Sequence, residues 1–188
     1  MSNQNRTFSG GAIDRNKAIN FIFNGKKYKG FQGDTLASAL LANDVHLVGR
    51  SFKYHRPRGI LTAGSEEPNA LIQLGIGART EPNIRATEIE LYEGLEAESQ
   101  NCWPSVDFDI GEANNLLSRL FPAGFYYKTF KWPPSLWLFY EHFIRKAAGL
   151  GESPKAKNPD RYEQRFHYCD VMIVGGGVSG LTAALAAA

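Results

Sequence analysis

A glycine-rich turn near the end of this sequence has residue types and a spacing that could bind a ligand. Gly175, Gly177 and Gly180 follow the short apolar run 168–174 and precede a helical pattern that starts at Leu181. In such a turn the first glycine makes the bend, the second lets the backbone approach a pyrophosphate, and the third lets the helix lie close to the strand. The phosphates then face the unpaired N–H groups of a helix N-terminus. The sequence therefore predicts a dinucleotide phosphate-binding turn.

The element that normally completes this kind of site is not in the sequence. An acidic residue that holds a ribose hydroxyl is expected roughly 20 residues after the glycines, which is beyond Ala188. We therefore expect the chain to be a fragment, with 168–188 as the first strand and helix of a truncated Rossmann-type domain. The turn does not distinguish NAD from FAD. Because one strand and one helix cannot enclose a dinucleotide, we expect the chain by itself to bind neither tightly.

The composition is that of an ordinary globular protein. Of its 188 residues, 43% are hydrophobic and 21% are charged, which suffices for a buried core. The formal net charge of +2 is too small to indicate a nucleic-acid partner. The polar start lacks the apolar core of a secretion signal, and no run approaches membrane-spanning length. We therefore expect a cytoplasmic protein with neither a nucleic-acid nor a membrane partner.

The sequence indicates neither a catalytic residue nor a metal site. Its two cysteines, Cys102 and Cys169, are too far apart for a CxxC motif, and two cysteines cannot form a disulfide framework. The histidines are scattered and have no metal-ligand spacing; they are His46, His55, His142 and His167. Four acidic residues lie close together in sequence as two pairs, Glu66 with Glu67 and Asp107 with Asp109. We interpret them as solvated turn residues rather than as an acid–base pair.

The first half of the chain has the pattern of a β-grasp domain. Residues 19–23 alternate between apolar and polar, and Asn24-Gly25 then predicts a type I′ hairpin. Asp34 or Thr35 could cap a helix whose buried face is Leu36, Leu40 and Leu41. Further strands are predicted at 45–48, 71–74 and 87–92. Plant-type ferredoxins share this topology but bind [2Fe–2S] through four cysteines. Because residues 49–77 contain no cysteine, we expect no iron–sulfur cluster in this chain.

A helical connector is predicted between the β-grasp domain and the glycine-rich turn. One apolar stripe, Leu116, Leu117, Leu120 and Phe121, ends at Pro122, and an aromatic stretch follows at 125–132. A second helix is predicted from Leu136 to Ala147, with Gly149 as its stop. We interpret the dense aromatic residues of this region as core. Residues 149–161 read as a linker.

A basic segment at residues 50–59 allows two interpretations. Its five potentially cationic side chains lie among two aromatic residues, a composition compatible with binding phosphate or a nucleic-acid strand. The alternative, which we favour because the whole chain is nearly neutral, is a loop whose arginines bind carboxylates or backbone carbonyls of a neighbouring domain.

Five segments of the chain resemble the α subunit of heterotetrameric sarcosine oxidases; they are 33–43, 49–59, 122–130, 147–151 and 170–177. The resemblance implies a bacterial cytoplasmic flavoenzyme that demethylates sarcosine to glycine, reduces oxygen to hydrogen peroxide, and passes the one-carbon unit to tetrahydrofolate or releases formaldehyde. It implies β, γ and δ subunits as partners, and FAD and FMN in the assembled complex. It also implies that NAD binds at Gly175, Gly177 and Gly180 with the backbone N–H groups of Val178 and Ser179.

The sequence thus predicts an α+β protein in four parts. A flexible N-terminal arm (1–17) precedes a ferredoxin-like, cluster-free β-grasp module (18–94), a helical connector and linker (95–167), and the truncated dinucleotide-binding domain (168–188). Two other functions remain open. The chain could be a subunit of a related FAD-dependent amine or opine dehydrogenase, or a β-grasp module that only docks another subunit through residues 50–59.

Overall fold

The computed structural model describes residues 5–116, 118–120, 132–147, 149, 151 and 153–188. The chain divides into two compact units, Met1–Asn158 and Pro159–Ala188. The second unit contains the glycine turn and is described with it below.

The first unit is built on a mixed five-stranded sheet. Its strands are β1 (Asp14–Phe23), β2 (Lys26–Gln32), β5 (Leu71–Leu74), β6 (Glu81–Arg85) and β7 (Leu95–Ser99). They lie in the order β2-β1-β7-β5-β6, in which β1 and β7 are parallel and the other neighbours are antiparallel. A separate hairpin joins β3 (Gly49–Arg50) to β4 (Pro57–Arg58). A helix, α1 (Leu36–Ala42), packs its apolar side into the same core as the sheet. This confirms the predicted β-grasp arrangement.

The local turn and cap signals act as the sequence predicts. Asn24 and Gly25 have φ angles of 50° and 72°, and two successive positive φ values define the predicted type I′ hairpin between β1 and β2. Thr35 caps α1 and forms a capping box with Ser38. Leu36 and Leu40 are fully buried, whereas Leu41, which we expected on the same face, is partly exposed.

Two of the three further strands predicted from the sequence are wrong. Residues 71–74 do form β5, but 45–48 and 87–92 form no strand. Ile89 and Leu91 are nevertheless buried. Their backbone bonds the start of α1, since the Ile89 carbonyl accepts from Leu36 N–H and the Leu91 N–H donates to the Asp34 carbonyl. The alternation at 87–92 therefore reflects packing beside the helix. The sheet is completed by β6 and by β7, which follows the module boundary predicted at residue 94.

The N-terminal arm is attached to the sheet and to α1. Strand β1 begins at Asp14, inside the segment predicted to be flexible. Before it, the Arg6 guanidinium donates to both oxygens of the Asp34 carboxylate, at 2.9 and 2.6 Å. Asp34 is buried, which opposes ionisation, but hydrogen bonds from Arg6, Ser38 and the Phe31 N–H hold its pKa below the usual value. The arm therefore supplies the cation for a buried carboxylate.

The connector follows the predicted helices in part. In the described part of the connector, three 3₁₀ helices, Ile110–Asn115, Ser118–Leu120 and Pro134–Leu136, precede α2 (Trp137–Ala147). Leu117, Phe121 and the aromatic stretch before Trp132 lie outside the described residues. The second helix is confirmed, and Gly149 follows it with a φ of 63°. The interpretation of its aromatic residues as core is wrong, because Phe139 is 61% exposed and Phe143 is 56% exposed.

We expect the core to depend on the face of α1 that the sheet covers. Replacing the buried Leu40 with alanine removes apolar contacts and leaves a cavity, so Leu40→Ala should lower the free energy of unfolding by about 2–5 kcal/mol. Leu41→Ala, one residue along and partly exposed, is the matched control and should cost clearly less. Urea denaturation of both variants checks this, and equal losses would contradict the described burial.

Candidate functional site

The second unit contains the glycine turn followed by α3 (Val178–Ala187). The helix predicted after the glycines is present, and Gly177 is its N-cap residue. The preceding residues 168–174 form no strand in the described structure. The first strand of a Rossmann-type domain is therefore not confirmed, and the turn with its helix is the part of the prediction that the structure contains.

The three glycines of the turn differ in whether the structure leaves room for a side chain. Gly175 has a φ of 114°, which L-residues with a side chain rarely adopt. A Cβ on Gly180 would lie 2.0 Å from the Gly175 carbonyl oxygen, because the first turn of α3 sits directly against the glycine turn. A Cβ on Gly177 would meet no atom within 4 Å. The backbone of Gly175 and Gly180 therefore needs glycine for its own geometry, whereas Gly177 has open space beside it.

The start of α3 offers backbone donors to that space. Gly177 makes no side-chain capping bond, and the first turn carries no acidic residue. The N–H groups of Val178 and Ser179 belong to the first turn of the helix, where the helix itself supplies no acceptor. The helix dipole adds partial positive charge at the same end. This arrangement can bind an anionic group.

The basic segment forms a hairpin whose inner arginine is used within the protein. The buried Arg50 guanidinium donates from Nε to the Val106 carbonyl at 2.8 Å and from Nη2 to the Asp107 carbonyl at 3.2 Å. Its Nη1 donates to the His55 carbonyl at 3.0 Å and to the Glu112 carboxylate at 3.1 Å. The favoured interpretation of an arginine bound to carbonyls and a carboxylate is correct for Arg50. These partners belong to the same unit of the chain, however, and not to a neighbouring domain.

His55 and Asp109 form a second internal contact of this hairpin. His55 Nδ1 lies 2.6 Å from Asp109 Oδ2, and Asp109 Oδ1 accepts hydrogen bonds from the N–H groups of Trp103 and Gly111. Asp109 is only 6% exposed. The interpretation of Asp109 as a solvated turn residue is therefore wrong, because the carboxylate organises residues 103–111 and fixes the histidine. Asp107 is exposed, as expected.

Glu67 is a second carboxylate that the sequence misassigns to solvent. It is 1% exposed, and its two oxygens accept from four backbone N–H groups; these belong to Leu61, Thr62, Asn69 and Ala70, at 2.6–3.2 Å. Burial raises the pKa of a carboxyl, but these bonds outweigh it and hold the pKa of Glu67 below its usual value. The neighbouring Glu66 is exposed, as expected. Neither buried carboxylate leaves a periodic signal, since both lie in loops.

The two cysteines are unpaired in the structure. Cys102 is partly buried, and burial together with the nearby Asp109 carboxylate raises the pKa of its thiol. Its thiolate is therefore disfavoured. Among the described residues, no group of three or more His, Cys, Asp or Glu side chains could hold a metal ion. In the same part of the chain, no helix has the length and apolar character needed to cross a membrane.

Comparison with protein families identifies residues 16–102 as similar to a 2Fe-2S iron–sulfur cluster binding domain. The expectation that this chain has no iron–sulfur cluster is contradicted by this match, which points to an iron–sulfur cluster domain. The expectation was based on the lack of cysteines at 49–77. The family match extends over residues 16–102, so counting possible ligands in one loop does not decide whether the domain belongs to that family.

The side chains present do not fit the four-thiolate site of a plant-type cluster. Residues 16–102 contain one cysteine, Cys102, whereas such a cluster takes four thiolates. Residues 16–102 therefore match a 2Fe-2S cluster binding domain along their length, while the described side chains do not supply the four thiolates of the plant-type ligand set.

The chain is similar to three curated sarcosine oxidase α subunits. It is 61% identical over 178 residues to "Sarcosine oxidase subunit alpha" of Rhizobium meliloti (strain 1021), covering 94% of this chain and 18% of that protein. It is 31% identical to the proteins of the same name from Corynebacterium sp. strains U-96 and P-1, covering 94% and 92% of this chain and 14% and 13% of those proteins. The resemblance found in the sequence is confirmed. The chain spans less than a fifth of the length of these relatives.

One solved structure is also similar, "Crystal structure of L-proline dehydrogenase from P.horikoshii". The match has 28% sequence identity and a TM-score of 0.37, and it covers 46% of this chain and 16% of that chain.

The Glu67 geometry predicts an acid-sensitive loop. Because the pKa of Glu67 is lower in the folded state than its usual 4.5, its ionised form stabilises the fold above that pH, and this stabilisation is lost as the pH falls through the lowered pKa. Glu67→Gln replaces one carboxylate oxygen, which accepts hydrogen bonds, with an NH₂ group, which can only donate and would face backbone N–H groups. At about pH 7 this should cost about 1–3 kcal/mol, and the variant should lose less stability than the wild type on acidification.

Urea unfolding at about pH 7 and about pH 3 measures both effects. Glu66→Gln removes the same charge from the adjacent exposed position and serves as the control. If the two variants had the same stability at both pH values, the buried role of Glu67 would be wrong.

Proposed function

We propose that this chain is part of the α subunit of a sarcosine oxidase and that it supplies a dinucleotide phosphate-binding turn and part of the subunit scaffold. The observation that carries the proposal is the 61% identity to such a subunit over 94% of the chain. The turn at Gly175–Gly180 and the first helical turn of α3, which carries no acidic residue, support the phosphate-binding part of the proposal.

The proposed binding mode assigns a different role to each glycine. Gly175 makes the bend and Gly180 lets α3 lie against it. Gly177 has open space beside its Cα, so a pyrophosphate could approach the backbone there and accept hydrogen bonds from the N–H groups of Val178 and Ser179. The dinucleotide supplies redox chemistry when bound; these residues contribute binding and orientation, and we assign none of them a catalytic role.

The activity of the whole enzyme is part of the same proposal. In it, sarcosine is oxidatively demethylated to glycine, oxygen is reduced to hydrogen peroxide, and the one-carbon unit passes to tetrahydrofolate or leaves as formaldehyde. This chain acts there with β, γ and δ subunits in a cytoplasmic heterotetramer. Its unpaired cysteines suit a reducing compartment.

Gly177→Ala, made in the assembled oxidase that contains this sequence, tests the phosphate-binding role. The new methyl group meets no protein atom within 4 Å, and the φ of −78° at Gly177 is ordinary for alanine. The turn should therefore fold normally, while the methyl group occupies the position of the pyrophosphate. We expect the affinity for the dinucleotide to fall by at least about tenfold, measured by calorimetric titration with NAD and, separately, with FAD.

Gly176→Ala is the matched control, because its Cβ also meets no atom within 4 Å and it occupies a variable position of the motif. It should change the affinity by less than about twofold. Equal binding by the wild type and both variants, or equal losses in both variants, would contradict the assigned role of the turn. The relative affinities for NAD and FAD also distinguish this proposal from a related FAD-dependent dehydrogenase.

A further inference from the structure

A small cavity in the first unit lies between the β3–β4 hairpin and residues at the start of β5, in β6 and after β7. Its volume is about 160 Å³, which is below the range of pockets that enclose a whole small molecule. Its polar lining consists of two arginines, four carboxamides and a serine; these are Arg50, Arg58, Asn69, Asn83, Gln100, Asn101 and Ser51. No acidic residue belongs to the described lining. The cavity is therefore rich in hydrogen-bond donors and contains no opposing carboxylate.

The hydrogen bonds around Asn83 determine which of its amide atoms is left for a ligand. Gln100 Oε1 accepts from the Asn83 backbone N–H at 2.7 Å, so Gln100 Nε2 is the donor to Asn83 Oδ1, at 3.2 Å. The Gly151 N–H also donates to that oxygen, at 3.3 Å. Because Asn83 Oδ1 has two donors already, the group that Asn83 can still offer is the Nδ2 amino group.

The positive charge at the cavity comes from Arg58 rather than from Arg50. The Arg50 guanidinium is occupied by the carbonyls and carboxylate of residues 55 and 106–112, as described above. No hydrogen bond or ion pair of the Arg58 guanidinium with the rest of the described chain is present. Its backbone is fixed, since Arg58 pairs with Gly49 across the hairpin and its carbonyl accepts from Val48 N–H at 3.0 Å. Arg58 is thus an exposed cation on a fixed stretch of backbone, without a carboxylate partner among the described residues.

The buried carboxylate of Glu67 does not compete with a ligand for these donors. Glu67 precedes the lining residue Asn69 in the chain, but its oxygens accept from the N–H groups of residues 61, 62, 69 and 70. It is not among the lining residues. Its bond to the Asn69 N–H, at 2.8 Å, fixes the backbone that carries the Asn69 carboxamide.

We propose that this cavity binds a single oxyanionic group, a carboxylate or a phosphate, held by the Arg58 guanidinium and by the carboxamides of Asn69 and Asn83. A guanidinium binds both groups through paired N–H donors, and such charge-assisted bonds are about twice as strong as neutral ones. The cavity accommodates the anionic end of a ligand and leaves the rest outside. This inference concerns the first unit and does not depend on the function proposed for the glycine turn.

The test is a titration of the ¹⁵N-labelled chain with sodium phosphate and, separately, with sodium acetate, at constant ionic strength set with chloride. The side-chain amide signals of Asn69 and Asn83 should shift and saturate with at least one of the two anions. Arg58→Gln should weaken that binding by about tenfold. Arg56→Gln removes the same charge two positions away, from a residue outside the cavity lining, and should change the affinity by less than about twofold.

Saturation with acetate but not phosphate identifies a carboxylate-bearing ligand, and the reverse identifies a phosphate; either result supports the site. Shifts that increase linearly with both anions, or equal losses in the two arginine variants, would mean an adventitious ion only and overturn the proposal. Asn83→Gly provides a further check. Glycine keeps the positive φ of 61° at this position and removes the carboxamide, so the fold should persist while the anion affinity falls.

Discussion

The segment between α1 and β5 depends on two buried ionic groups of opposite sign. Arg50 connects it to residues 106–112 through backbone carbonyls and one carboxylate, and Glu67 gathers the N–H groups on either side of its own turn. A buried charge is costly unless its hydrogen-bonding groups are satisfied, and both are satisfied almost entirely by backbone. Each side chain therefore imposes a specific path on the chain around it, and the hairpin that carries Arg58 takes its position from that path.

The parts of the fold that the sequence predicts are those set by neighbouring residues. The Asn24-Gly25 turn, the Thr35 cap and the helix after the glycines each depend on a few adjacent positions, and all are present. The errors arise where a pattern has more than one physical cause. Alternation at 87–92 results from packing beside α1, whereas β7, which alternates similarly from Leu95, pairs in the centre of the sheet. The spacing of the aromatic residues in α2 predicts the helix but does not predict whether other residues pack against its apolar face.

The candidate sites also differ in how far the sequence alone predicts them. The glycine turn is visible in sequence because the motif itself specifies backbone geometry, and the structure shows that Gly175 and Gly180 need glycine while Gly177 has free space. The buried role of Glu67 is invisible because its partners lie within six residues of it in an irregular loop, which leaves no periodic pattern. The contact between His55 and Asp109 and the cavity near Arg58 are invisible because they join segments that are distant in the chain. The iron–sulfur family match adds a separate lesson. Residues 16–102 retain the pattern of a cluster-binding domain with one cysteine, so a family's fold and its ligand set need separate evidence.

The contact between Arg6 and Asp34 bears on how this polypeptide is best produced for experiments. The residues before β1 look expendable in sequence, and a short expression boundary near the first strand would be a natural choice. Such trimming would leave the acid group of Asp34 enclosed without its counter-ion, next to the cap of α1. A purification tag is therefore better placed so that the native leading residues are retained, with a spacer between the tag and Arg6.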